Sequence, residues 1–186
     1  IFAGSETTNW LSCDDYPILY DPDKDRRFLK ETWLQNIEYI AQAKKDSAYE
    51  LKTNFFIQAM AQGTPLNLHD RVPTYEDISL QIYTLLAFGM DSISYFCYAT
   101  PTAADFFEHQ YSMIDRKEKK TPLYDIGKKL NGILGKLNGV YKRFKNDWRG
   151  VLPVYGENAE EKNVSFGCLR KPLAAEEIPE IGSVRS

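Results

Sequence analysis

The sequence has little with which to hold a metal or run redox chemistry. It contains three cysteines, Cys13, Cys97 and Cys168, and two histidines, His69 and His109. An odd number of thiols without metal-ligand spacing gives neither a disulfide framework nor a zinc site. Cys13 and Cys97 lie in apolar, strand-like runs and read as buried thiols. The histidines sit in loop-like sequence, so no metal and no cofactor are expected. No GxGxxG or GxxxxGK[ST] run follows any strand, which leaves a phosphate or dinucleotide cradle without support. No apolar run reaches the roughly 18 residues of a membrane span, and no membrane partner is expected. Charged residues make up 26% of the chain and leave a net charge of −3. That balance lacks the basic footprint of a nucleic-acid binder. The one basic cluster, Lys117, Lys119 and Lys120 around Glu118, is accounted for by a solvated loop. The chain also opens at Ile1, without an initiator Met or a signal peptide. The expectation is that a leader, or a large part of a longer protein, precedes it.

What the chain does have is a core. Of its 186 residues 43% are hydrophobic and 13% aromatic, enough for one domain to bury a sizeable interior. The stretch from Asn54 to Pro101 organises the rest. It reads as an apolar strand, a polar loop, a capped amphipathic helix and a second apolar strand, which is one βαβ unit. Leu51 to Met60 is apolar on both faces near Phe55, Phe56 and Ile57, as in a parallel strand buried on both sides. The following loop, Ala61 to Pro73, carries Gln62, Asn67, His69, Asp70 and Arg71. It is long for a βα connection, and such loops are where sites are built. Thr74 and Asp77 form a capping box, and Tyr75, Ile78, Ile82, Leu85 and Leu86 make one stripe. Gly89 ends the helix, and Ser92 to Ala99 is the next strand.

More of the same unit flanks this stretch. Trp10 to Leu19 is a short strand that runs into a loop, with Asp14 and Asp15 where the apolar run gives out. Tyr16-Pro17 forces an extended exit. The run Asp21 to Asp25 is a polar connection. A helix is predicted from about Arg26 to Lys45, because Phe28, Leu29, Trp33, Ile37, Ile40 and Ala41 recur at helical steps. A last helix is predicted from Tyr124 to Lys145. It contains Gly127, Gly132, Gly135 and Gly139, which call for either close packing or a frayed end, since an interior glycine costs on the order of 1 kcal/mol relative to alanine. From Trp148 the pattern changes. Residues 148–186 read as an extra strand with a partly ordered tail, or as the start of a β domain. The boundaries are therefore 1–147 and 148–186.

Three βα units come from a doubly wound sheet or from a barrel. The motifs FFIQAMAQG, RVPTYEDISLQIYTLLAFGMDSISYF, WLSCDDYPI and DRKEKKTPLYDIGKKLNGILGKL, in their order along Trp10 to Lys145, resemble the C-terminal part of the catalytic barrel of bacterial glycoside hydrolases. The nearest likeness is to β-galactosidases of family 42 and their uncharacterised relatives. The resemblance implies an α/β fold: a partial (β/α)8 TIM barrel, about its last three βα units, strands six to eight, with a short C-terminal extension. A complete barrel takes about 250 residues. Two open sheet edges are a liability. They are expected to be covered by self-association or by the missing N-terminal barrel half.

The resemblance implies a carbohydrate partner. It places the catalytic acid/base at the end of the fourth strand, outside this chain, and the nucleophile, a glutamate, at the end of the seventh. Here that place holds Gln58, or else Gln62, and an amide is no nucleophile. Asp15 is the remaining catalytic candidate, with Asp14, Asp15, Tyr16, Gln58, Gln62 and Tyr98 as substrate-binding candidates. The alternative for the two aspartates is loop hydrogen bonding and capping, and for Tyr95 and Tyr98 core and rim packing. Glu108 and His109 lie in the loop beyond the eighth strand, where such enzymes contact substrate. The function implied is a glycoside hydrolase-like protein that binds or hydrolyses carbohydrate and is inactive as this chain alone. The alternative is a non-catalytic carbohydrate-binding or scaffolding protein of the same fold. A third reading is an unrelated α/β enzyme built on Asp15 and the loop after Gln62.

Overall fold

The computed structural model describes residues 9–21, 24, 26–61, 69–70, 72–101 and 111–144. The expectations for residues 148–186, Gln62, Arg71, Glu108, His109 and Cys168 lie outside the described residues. In chain order the elements are β1 (Trp10–Asp14), β2 (Ile18–Asp21), β3 (Arg26–Leu29), α1 (Trp33–Asp46), β4 (Lys52–Gln58), β5 (His69–Asp70), α2 (Tyr75–Ala87), β6 (Ser92–Phe96) and α3 (Pro122–Phe144).

β1, β4 and β6 form a parallel sheet in that order, joined by α1 and α2 as crossovers. Alternation along the strands sends Leu11, Cys13, Phe55, Ile57, Ile93 and Tyr95 towards the helices. There they meet Trp33, Ile37, Ile40 and Ala41 of α1, Ile78, Ile82 and Leu85 of α2, and Leu123 and Leu130 of α3. Each large side chain buried this way contributes about 1.5–3 kcal/mol. The other face carries Ser12, Asp14, Asn54, Phe56, Ser94 and Phe96, all half-buried or exposed. On it Asn54 donates to Ser12 Oγ at 3.0 Å and accepts from Ser94 Oγ at 3.0 Å. β4 is therefore covered on one face, where the sequence led us to expect burial on both. Phe56 is only half-buried because no described element packs over that face. Among the described residues β1 and β6 each pair on one side only.

α2 matches its sequence signals. Asp77 N–H donates to Thr74 Oγ1 at 3.3 Å, and Thr74 N–H donates to the Asp77 carboxylate at 2.8 Å. At the other end Gly89 takes φ 76°. Its N–H donates to Leu86 O, and the N–H of Met90 to Leu85 O, closing a Schellman motif with Leu85 and Met90 buried together. Asp91 then clamps the amino end of the sheet. Its carboxylate accepts from Lys44 Nζ at 2.5 Å, from Thr53 N–H at 2.9 Å and from Thr53 Oγ1 at 3.1 Å.

The predicted helix from Arg26 needs correcting. Arg26–Leu29 is a strand, antiparallel to Ile18–Asp21, and the helix starts at Trp33. The Asp21 carboxylate, expected in a polar connection leading into the helix, instead holds a turn by accepting from Lys24 N–H at 3.3 Å and pairing with Lys24 Nζ at 3.0 Å. Phe28 and Leu29 pair with Leu19 and Ile18. β5 pairs with the opposite edge of β2, giving a second small sheet, β3-β2-β5. β1 also ends at Asp14, and β6 ends at Phe96 rather than at Ala99. The thiols of Cys13 and Cys97, read from sequence as buried, are half-buried. The glycines of α3 divide. A Cβ on Gly127 would meet Met113 Cε at 2.8 Å, whereas nothing lies within 4 Å of one at Gly132, Gly135 or Gly139.

The Asp91 clamp gives a direct test. Asp91→Ala leaves the Lys44 ammonium and the Thr53 amide without their shared acceptor, and should lower the unfolding free energy in urea by about 2–3 kcal/mol. A loss under about 0.5 kcal/mol, the range of ordinary surface substitutions, would show that the clamp is not structural.

Candidate functional site

A cleft of about 350 Å³ opens at the carboxyl ends of the parallel strands, lined by Ser12, Cys13, Asp14, Tyr16, Phe56 and Phe96. Strand register explains the grouping. Asp14 is the Cα partner of Phe56, and Gln58 that of Phe96. Period-two alternation then puts Ser12, Asp14, Asn54, Phe56, Gln58, Ser94 and Phe96 on the helix-free face. Tyr16, just past β1, folds over the end of that face, its ring 5.3 Å from Phe96 at a tilt of 32°. Three aromatic rings and one exposed carboxylate thus share an open pocket of the size small ligands use.

The candidates from sequence separate at this point. Asp14 and Tyr16 line the cleft. Asp15, the next residue, faces elsewhere. It is 6% exposed, and its two oxygens accept from Lys30 Nζ at 2.5 Å and Asn36 Nδ2 at 2.6 Å. That carboxylate fastens the end of the β2–β3 hairpin to the first turns of α1. Gln58 is fully buried. Its Oε1 accepts from Ile18 N–H at 2.8 Å and its Nε2 donates to Ile18 O at 3.2 Å. One step deeper the pattern repeats: Gln81 Oε1 accepts from Gln58 N–H at 2.8 Å, and Gln81 Nε2 donates to Gln58 O at 3.2 Å. Each amide side chain stands in for a neighbouring strand by satisfying both backbone polar groups of one residue.

The tyrosines beyond β4 lie apart from the cleft lining. Tyr98 is 60% exposed and contributes its carbonyl to Ile114 N–H at 2.8 Å. Tyr95 turns to the helix side, where its hydroxyl donates to Asn131 Oδ1 at 2.9 Å, and burial pushes its pKa up to about 12. Phe56, Phe96 and Ser12 were not singled out in the sequence. The signal that finds them is alternation counted from Asp14 and Gln58.

Electrostatically the cleft is anionic. Burial raises the Cys13 thiol, and the Asp14 and Asp15 carboxylates raise it further against Lys30. Among the described residues no group of three or more His, Cys, Asp or Glu could hold a metal ion. No described helix is long and apolar enough to cross a membrane. No protein-family model matches the chain, and no curated protein matches it.

Because the thiolate is the reacting form, Cys13 should alkylate with iodoacetamide at pH 8 more slowly than a small free thiol. Asp14→Asn removes a repulsive charge and should raise that rate roughly twofold. Peptide mapping by mass spectrometry isolates Cys13 from the other cysteines. A rate unchanged by Asp14→Asn would take Asp14 out of the field felt at Cys13.

Proposed function

We propose that the chain is an arc of a (β/α)8 barrel related to glycoside hydrolases, and that its cleft binds carbohydrate without hydrolysing it. Three features support the arc. The parallel strands lie in chain order, the helices pack on one face, and the opposite face is polar with aromatic residues at its carboxyl end. Barrel enzymes place their sites at that end of the strands.

The single observation that carries the reading is the cleft itself, an aromatic floor beside one free carboxylate. Aromatic faces pack against the C–H faces of sugar rings, and a carboxylate accepts from their hydroxyls. Hydrolysis asks for more. A retaining glycosidase needs two carboxyl groups about 5–5.5 Å apart, one as nucleophile and one as acid/base. Asp14 is the only carboxylate in the described lining of the cleft, Asp15 is engaged by Lys30 and Asn36, and Gln58 is matched to the backbone N–H and C=O of Ile18. This favours a binding role for the chain on its own, with any hydrolysis completed by carboxylates outside it.

Two measurements test this. The chain should show saturable binding to oligosaccharides by calorimetry, weakened on the order of tenfold by Phe56→Ala, with no turnover of aryl β-glycosides above background. Clear turnover, or binding indifferent to Phe56, would sink the proposal. Gln58→Glu probes the nucleophile position. The new carboxyl would be buried against Ile18 O, so its folded pKa lies above its unfolded one. The variant should lose about 3 kcal/mol at neutral pH. Because the folded pKa is the higher one, stability should recover as pH falls through the folded pKa, be fully restored below the unfolded carboxyl value, and be lost again as pH rises through the folded pKa. A Gln58→Glu protein that is as stable as the parent and hydrolytic would place the nucleophile here after all.

A further inference from the structure

The cleft carries charge of one sign. Among its described lining residues Asp14 alone is charged, and it is exposed. The neighbouring Asp15 is already balanced by Lys30, whose ammonium sits on its carboxylate. The negative field reaches at least as far as Cys13, where the aspartates outrank the opposing Lys30. Beside Asp14 stand the rings of Tyr16, Phe56 and Phe96, whose faces are the negative ends of their quadrupoles. A carboxylate and aromatic faces both attract a cation, and both repel an anion. Neutral hydroxyls gain from the first of these and little from the second.

We propose that this cleft prefers sugars bearing a free ammonium, of the glucosamine type, over neutral, N-acylated or acidic sugars. The proposal rests on the carbohydrate reading of the same cleft. The ammonium donates to the Asp14 carboxylate while the ring's C–H face lies on an aromatic side chain. N-acylation removes the charge and leaves a neutral amide N–H and the hydroxyls as donors. A uronate or sulfated sugar sets like charges against each other.

Calorimetry with the whole chain at mildly acidic pH compares five probes: a glucosamine trimer, its N-acetylated form, a glucose trimer, a galacturonate trimer and the non-sugar diamine putrescine. The glucosamine trimer should bind on the order of fivefold tighter than the N-acetylated and glucose trimers, the span of an exposed ion pair reinforced by a cation–π contact. The galacturonate trimer should not bind, and raising the salt should shrink the preference. Asp14→Asn, checked for folding by circular dichroism, should weaken binding of the glucosamine trimer more than that of the glucose trimer and so abolish the preference. Equal affinity for the glucosamine and glucose trimers, or a preference that survives Asp14→Asn, overturns the ammonium proposal and leaves carbohydrate binding standing. Binding of putrescine with no sugar bound overturns the carbohydrate reading, and the ammonium-sugar proposal with it. No binding by any probe overturns both.

Discussion

The backbone N–H and C=O of Ile18 have to be satisfied, and much of the site's geometry depends on how that is done. Ile18 is fully buried, just where the chain leaves the parallel sheet for the β2–β3 hairpin. β3 lies along one side of it, with Leu29 as its Cα partner, and on the other side the β5 pairing reaches only Leu19 and Tyr20; leaving its N–H or C=O unmade would cost about 1–3 kcal/mol. Gln58 supplies both partners, and Gln81 does the same for Gln58. The relay ties α2 to the end of β4, and the end of β4 to the start of β2. Tyr16, two residues before Ile18, is thereby held over Phe96. A residue that a family pattern would assign to chemistry is here a fixture of the fold.

The two ends of the sheet divide the work differently. At the amino end the polar groups are closed in: Asp91 gathers Lys44 and Thr53, and Lys44 also donates to Gly89 O at 3.0 Å. At the carboxyl end the network stops short of Asp14, which stays exposed next to aromatic rings. Networks of satisfied groups rigidify, and an exposed carboxylate is available for a ligand. The same three strands therefore present a locked end and a usable one.

Elements decided by local interactions were legible from local signals. Thr74, Asp77 and Gly89 fixed α2 and both its caps, because a capping box and a left-handed glycine act within a few residues. The hairpin was hidden because Phe28 and Leu29 continue the phase of Trp33 and Ile37, and only pairing with Ile18 and Leu19 makes them a strand. Asp14 and Tyr16 were legible at the cleft since they stand at the end of an apolar run. Phe56 and Phe96 were not, because they sit in runs apolar on both sides of the alternation, where composition alone cannot assign a face. The roles of Gln58 and Gln81 have no sequence signature, since the two residues meet across 23 positions and a glutamine looks the same bonded to a peptide or to a sugar.

α3 ends in a gradient. Its early turns are bound into the core through Leu123, Gly127 and Leu130, while beyond them Gly132, Gly135 and Gly139 have open space around them and Val140 is exposed. Backbone amides in such a helix are protected from solvent exchange in proportion to what holds each turn, so opening propagates from the far end inward. What restrains that end is a latch: Tyr141 donates its hydroxyl to Met90 O at 2.7 Å. Burial, with help from Asp91, pushes that phenol up to about 12. The latch therefore keeps its proton across the whole physiological range, and only strong alkali would release it.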